Sequence, residues 1–219
     1  RVIGGKKAGP QYQQCTGSRE NVTIIITIYA DGSAKRPAVI LKGNAYQQKL
    51  DNLLHSWIDS LGYSKKGWTD GQIGIEWIKE FDKHTKAKVN GQDHLLIING
   101  HNSHYTHSLL EYTRKNCIHV ACYPVHTTHI YQGLDVVDFT VLKHCWSEER
   151  DKWEREKREG ITKANFITIY GCAHLQALTP NLIQTAFRKT GVWPCNRDVV
   201  SDSMMAPSKE TSEKSHLPI

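Results

Sequence analysis

HLLIIN (94–99) and, further along the chain, IHVACY (118–123) are the two segments from which the fold is predicted. Each segment is a short, continuous run of apolar residues bounded by polar ones, which is the pattern of a β-strand covered on both faces. The residues between them, at about 105–115, place their apolar side chains at helical spacing. A strand, a helix and a strand at this spacing predict a βαβ unit with parallel strands.

The rest of the chain extends this unit on both sides. Residues 22–29 and 37–42 are apolar and flank the turn signal Ala30-Asp31-Gly32, so they predict an antiparallel hairpin. A helix is predicted over 69–86, with Thr69 and Gln72 as a capping box. Further helices are predicted over 147–159 with Ser147 as cap, 162–177, and 180–190 opening at Thr179-Pro180. The sequence therefore predicts an α/β fold, a mixed β-sheet flanked by helices with a helical C-terminal part.

Length and composition set the outer limits. The chain has 219 residues, 39% of them hydrophobic, which suits one α/β domain with a real core and excludes a wholly disordered protein. Its formal net charge of +6 favours a polyanionic partner, although an ordinary basic protein has the same charge. The six cysteines form no CxxC pair, which argues against a zinc ribbon. With no signal-peptide pattern and only strand-length apolar runs, an intracellular protein without membrane spans is expected.

The two ends differ in composition from the middle. Residues 1–16 are loop-like, with three glycines and a proline, and they begin without methionine, as expected for part of a longer protein. Residues 201–219 are rich in Ser, Lys, Glu and Pro, which predicts a disordered tail.

Two polar loops follow the two predicted buried strands. The first runs from Asn99 to His104, and the second from Pro124 to Asp135. Ligands bind where the carboxyl ends of parallel strands meet. We therefore expect Asn99 and Asp135 to face a common cleft.

These loops allow three interpretations. The HxxH pairs His101/His104 and His126/His129 could bind zinc, although structural zinc sites usually include cysteine and HExxH is absent. The same histidines could instead shape the loops by hydrogen bonding. A Mg²⁺ site needs carboxylates at neighbouring strand ends, and here Asp135 is charged whereas Asn99 is neutral.

The motifs NGHNSH (99–104) and HTTHIYQGLD (126–135) resemble those of a known family. They are similar to the DDE endonuclease domain of pogo/Tigger/jerky-type transposases, a branch of the mariner superfamily, and most of all to fungal versions. Thirty-five residues separate Asn99 from Asp135, as in that family. The likeness also includes 22–43, Gly67–Asp70 and the closing motif 186–194. It covers about 17–200, which is taken as the domain.

The resemblance implies an RNase H-like sheet and a metal-dependent DNA endonuclease that cleaves transposon ends and joins them to target DNA in the nucleus. Asn99 and Asp135 take the positions of the second and third catalytic, metal-binding acids, with Mg²⁺ or Mn²⁺ as the cofactor. DNA is the implied partner, and an oligomer is compatible with the family. The surrounding, loop-shaping residues implied are His101, His104, His126, His129 and Gln132.

Three departures from the family pattern bear on activity. The family's first aspartate lies on a strand before the point where this sequence begins, Asn99 replaces the second, and Gly133 replaces a proline. Loss of one charged ligand is expected to cost on the order of 10³-fold in rate, so no cleavage is expected. Because the absent strand is central in the family, its loss is expected to expose two strand edges. The alternatives are a non-catalytic, domesticated protein of the centromere protein B or jerky type, and a zinc-dependent hydrolase.

Overall fold

The computed structural model describes residues 21–43, 57–100, 106–124, 126–201 and 204. Strands β1 to β5 span Val22–Ile25, Ala38–Lys42, Ser60–Ser64, His94–Ile98 and Ile118–Cys122. Helices α1 to α6 span Gly71–Val89, His107–Lys115, Thr128–Tyr131, Phe139–Lys157, Lys163–Ala177 and Pro180–Lys189. A π-helix, Leu134–Asp138, joins α3 to α4, and a 3-10 turn, Arg197–Val199, follows α6. The predicted loop at 1–16 and nearly all of the predicted tail at 201–219 lie outside the described residues.

The strands form two sheets, as far as the chain is described. In the first, β2 is central and pairs antiparallel with β1 and parallel with β3. In the second, β4 and β5 pair in parallel with α2 between them in the chain. The antiparallel hairpin and the βαβ unit are therefore confirmed, whereas β3 was not predicted.

The hairpin turn explains one required glycine. The Asp31 carboxylate accepts hydrogen bonds from the backbone N–H of Ser33 at 2.8 Å and from its hydroxyl at 2.6 Å. Gly32 has φ of +93°, a conformation that residues with a Cβ rarely adopt. An added Cβ would also lie 2.9 Å from Nε2 of Gln184 on α6. The turn thus packs directly against the C-terminal helices.

Two predicted helix starts are wrong. Helix α1 begins at Gly71, because Oδ1 of Asp70, not the predicted Thr69/Gln72 capping box, accepts from the backbone N–H of Gln72 and Ile73. The predicted helix at 147–159 is the second half of α4. Ser147 does not cap it, since its hydroxyl donates to the Lys143 carbonyl one turn earlier.

Helices cover the two sheets unequally. Around the first sheet, Val39, Leu41 and Leu61 pack with Ile58 and Ile167 in one buried cluster. A second cluster joins α1 and α2 to β4 and β5, and a third joins α4 to α5. These mixed sheets flanked by helices are consistent with the predicted RNase H-like α/β fold. The expectation that 94–99 is covered on both faces is wrong, however, because Leu95 in the middle of β4 is 59% exposed.

Candidate functional site

The parallel pairing of β4 and β5 brings the two polar loops to one end of the small sheet. Ile98 lies opposite Cys122, and the backbone N–H of Tyr123 donates to the Ile98 carbonyl at 3.1 Å. Asn99 and Tyr123 are the residues that follow these partners. The ends of the two strands therefore lie side by side, as predicted.

Short hydrogen-bonded turns shape the second loop. The Thr127 side chain is buried and donates to the Pro124 carbonyl at 2.7 Å, which fixes the turn before α3. After α3, the backbone N–H of Asp135 donates to the Gln132 carbonyl at 2.9 Å, and the chain enters the π-helix. π-Helical turns inside longer helices are frequent at functional sites. Asp135 lies in this turn and is exposed.

A large apolar groove, here called the central groove, passes in front of this site. It has a volume of about 510 Å³, with residues 23–30 along one wall and residues 95–99 along the other. Asn99, Tyr123 and Gln132 are polar residues that line it, and Leu134 brings its lining to the residue before Asp135. Burial, followed by the nearby Asp135 charge, raises the pKa of Tyr123 to about 12. Asn99, Tyr123 and Gln132 therefore line one groove, and the Asp135 charge acts on Tyr123, whereas a common cleft for Asn99 and Asp135 stays a prediction.

The positions of the two described histidines of these motifs give no support to the metal interpretation. His126 and His129 are exposed, and neither lines the central groove. His126 has φ of +61°, so it occupies a left-handed turn position before α3. His101 and His104 lie outside the described residues, so the four-histidine zinc hypothesis remains a prediction.

Sequence reasoning missed Asp138. This residue ends the π-helix, its side chain is fully buried, and both carboxylate oxygens lack a hydrogen-bond partner in the described structure. Burial raises its pKa from 3.8 to about 6. The available signal was an acid inside the apolar run from Val136 to Phe139, one turn after Asp135.

A second polar cluster lies on another part of the fold. Ligand atoms of Asp59, Glu80 and His84 lie within 4.8 Å of one another, which is metal-binding spacing. The Asp59 carboxylate is nevertheless already paired with the buried Lys35 ammonium and lies 2.7 Å from Nε2 of His84. Burial lowers the pKa of Lys35 to about 8, with the Glu80 charge acting against it. We interpret this cluster as an ion-pair anchor between the hairpin, β3 and α1.

Two divalent ions do not fit the residues that line the central groove. Among its described lining residues there is no Asp, Glu or other charged side chain, and Asn99 offers a neutral amide. Asp135, next to the groove, supplies one negative charge. Mg²⁺ binds oxygen ligands and prefers carboxylates, so this donor set is insufficient for a two-metal site.

Comparison with known proteins identifies the family. The model of the DDE superfamily endonucleases matches residues 19–187, and the chain belongs to this family. The family consists of transposase-like nucleases that generally use divalent metal ions. No solved structure matches the chain.

The chain is also similar to part of a much longer protein with a different kind of name. The chain is 31% identical over 201 residues to the MFS-type transporter clz9 of Cochliobolus lunatus, which covers 91% of this chain. The chain spans only 22% of that relative, so its name describes a protein of which this domain corresponds to about a fifth. Each helix in the described part of the chain is too short or too polar to span a lipid bilayer.

Proposed function

We propose that the chain is a pogo/Tigger-type transposase domain that binds DNA but no longer cleaves it. The observation that carries this proposal is Asn99, which follows β4, lines the central groove and has no charge; by resemblance, the family has its second acid at this position. The family match supports the reaction class, and the pogo/Tigger assignment rests on the motifs at 99–104 and 126–135.

The charge at the site explains the loss of cleavage. In two-metal phosphoryl transfer, carboxylates hold two divalent ions so that the attacking and leaving oxygens are both stabilised. Asn99 and Asp135 together supply one negative charge against four positive charges. By resemblance, the first acid belongs to a preceding strand. We therefore propose that Asn99 and Asp135 mark the former metal-ligand positions and that Mg²⁺ or Mn²⁺ binds here weakly or not at all.

DNA contact is proposed to be mainly electrostatic. The chain has 28 Lys and Arg residues against 22 Asp and Glu, a surplus of positive charge that suits the phosphate backbone. Accordingly, we propose weak binding without sequence preference, in a protein that acts in the nucleus.

A salt titration tests this proposal. Fluorescence anisotropy of a labelled DNA duplex would be measured with the full chain at about 50 mM and 200 mM salt. Each neutralised phosphate is expected to contribute about −0.9 to the slope of log K against log salt concentration. Two unrelated duplex sequences serve as the control for specificity. Binding that does not change with salt, or strong preference for one duplex, would contradict the proposal.

Asn99 also supports a second candidate, a domesticated DNA-binding protein of the centromere protein B or jerky type. Such a protein keeps the fold without selection for cleavage, so a neutral residue at position 99 is tolerated. The two candidates differ in genomic context. Flanking inverted repeats and many copies favour a transposon, whereas a single-copy gene without repeats favours domestication.

A further inference from the structure

One group of metal-ligating side chains lies outside the candidate functional site. Asp59 directly precedes β3, whereas Glu80 and His84 lie four residues apart on α1, and none of the three lines the central groove. One ligand atom of each residue lies within 4.8 Å of the other two. Residues at positions i and i+4 share one face of a helix. The spacing in α1 therefore presents both of its side chains to Asp59.

The Asp59 carboxylate is held in place before any ion binds. Its side chain is 8% exposed, and its Oδ2 is paired with the buried Lys35 ammonium. The backbone N–H of Asp59 donates to the Pro37 carbonyl at 3.0 Å. Carboxylates that bind metal ions are themselves usually hydrogen-bonded in this way. Because Asp59 is already ordered, binding an ion through its other oxygen costs little further conformational entropy.

The ion-pair anchor leaves a second oxygen on each carboxylate. Lys35 takes Oδ2 of Asp59, and Nζ of Lys83 lies 2.5 Å from Oε1 of Glu80. Oδ1 of Asp59 lies 2.7 Å from Nε2 of His84. An ion between Oδ1 and Nε2 replaces the proton of this one hydrogen bond and keeps the pair with Lys35. The anchor and a metal site are therefore compatible.

His84 has room for the adjustment that an ion requires. Zinc–ligand distances of about 2.0–2.1 Å at a tetrahedral angle separate two ligand atoms by about 3.4 Å, which is somewhat more than the present 2.7 Å. The His84 side chain is 50% exposed and that of Glu80 is 37% exposed, so both can rotate. Their contact with solvent also gives an ion a path to the site and leaves a coordination position for water.

The donor set selects the kind of ion. One imidazole nitrogen and two carboxylate oxygens suit Zn²⁺, whereas Mg²⁺ and Ca²⁺ prefer oxygen ligands alone. Zn²⁺ also generally binds such a site more tightly than Mn²⁺ does. The positive charges of Lys35 and Lys83 oppose a cation, so we expect micromolar rather than nanomolar affinity.

We propose that Asp59, Glu80 and His84 form a Zn²⁺ site with three protein ligands and an open position for water. The ion ties α1 to the start of β3 and, through the pair of Asp59 with Lys35, to the hairpin. Its role is structural, because it stabilises the packing of α1 against the first sheet. This inference goes beyond the proposed function, since it depends neither on DNA nor on Asn99 and Asp135.

A zinc titration tests the proposal. The full chain, first stripped with a chelator, is titrated with Zn²⁺ in competition with a fluorescent zinc indicator, beside the variants His84→Gln and Glu80→Gln. We expect each substitution to weaken the tightest binding by at least about tenfold, because it removes one of three ligands. Unchanged zinc affinity in both variants, or no zinc binding by the unmodified chain, would overturn the proposal.

A second histidine and glutamate pair on a helix is the matched control. His144 and Glu148 on α4 are also four residues apart, with Nε2 and Oε1 separated by 3.5 Å, and no third ligand joins them among the residues that the structure describes. His144→Gln should therefore change zinc affinity by less than about twofold. Equal losses in His84→Gln and His144→Gln would show non-specific binding to surface histidines and rule out the assigned site.

The HxxH motifs provide the competing explanation for any zinc that binds. The double variant His126→Gln/His129→Gln should retain the tightest binding. Loss of that binding in the double variant, with His84→Gln unaffected, would place zinc at the polar loops and contradict the inference.

Thermal unfolding tests the structural role. Zinc is expected to raise the unfolding midpoint of the unmodified chain but not that of His84→Gln, because an ion that binds only the folded state stabilises it. Circular dichroism without zinc verifies that the variant folds. An equal rise in both proteins would show that the ion binds elsewhere.

Discussion

β2 and β4 are both short apolar strands, yet the structure covers one and leaves the other open. In β2, between strands on both sides, Val39 and Leu41 are completely buried. In β4, which has a strand on one side only in the described structure, Leu95 is 59% exposed. The apolar sequence of a strand therefore indicates that the strand suits a buried position. Whether it is buried depends on the elements packed around it.

The largest expected effect compares one substitution in both strands. Leu41→Ala should lower the free energy of unfolding by about 3 kcal/mol, because it removes a fully buried side chain and leaves a cavity. Leu95→Ala should lower it by less than about 1 kcal/mol, because that side chain keeps most of its contact with solvent. Urea unfolding of both variants measures the difference. Equal losses would show that β4 is covered in solution and would remove the contrast between the two strands.

The buried acid Asp138 gives the second-largest expected effect on stability. The pKa of Asp138 is raised to about 6, so its contribution to stability is greatest below pH 3.8 and is lost as the pH rises through 6. At pH 7 the charged, unpartnered carboxylate should destabilise the fold by up to about 3 kcal/mol. Asp138→Asn is therefore expected to raise the free energy of unfolding at pH 7 by a similar amount, and to change it little at pH 4.

The matched control for this prediction is Asp135→Asn, one turn earlier and exposed. Its effect on unfolding should be small at both pH values. If Asp138→Asn destabilised the protein at pH 7, the Asp138 carboxylate would have to have a hydrogen-bond or ion-pair partner. That result would contradict the prediction of a buried, unpartnered acid.

Helix α5 contains a buried base, His174. Burial lowers the pKa of His174 to about 4, so its contribution to stability is full above pH 6.5 and is lost as the pH falls through 4. Between pH 8 and pH 5 this loss should reach about 2 kcal/mol. His174→Gln should reduce the change in stability between these pH values by that amount. His144→Gln, at an exposed position on α4, serves as the control, and equal pH profiles for both variants would contradict the prediction.

Local sequence patterns predicted the parts of the fold that local chemistry fixes. The hairpin follows from its apolar strands and its Asp31-Gly32 turn. The start of α6 follows from the N-cap Thr179 and from Pro180 at the first helical position. The parallel pairing of β4 and β5 was also predicted, whereas the common cleft of Asn99 and Asp135 stays a prediction. The hairpin and α6 depend on neighbours in the chain, and the sequence contains those neighbours.

Features that depend on distant contacts could not be predicted in this way. β3, SLGYS, has a glycine and two serines and little intrinsic preference for a strand, so its pairing with β2 determines it. α4 begins at Phe139 directly after the π-helix. Its first residue therefore has no capping residue before it, and a prediction based on capping residues misses this start. The exposure of Leu95 depends on which distant residues pack over its face of β4, and no pattern within 94–99 could reveal that.

A plasmid-nicking assay with Mg²⁺ or Mn²⁺ tests the central claim, that Asn99 leaves this DDE endonuclease domain without cleavage. Three proteins are compared: this chain, Asn99→Asp, and Asn99→Asp with an added N-terminal strand that carries the family's first aspartate. We predict no nicking above the metal-only control for the first two, because two carboxylates alone cannot hold both ions. For the third we predict nicking that Asp135→Ala abolishes. Robust nicking by the unmodified chain, abolished by Asp135→Ala, would contradict the account and show that other residues hold the metal.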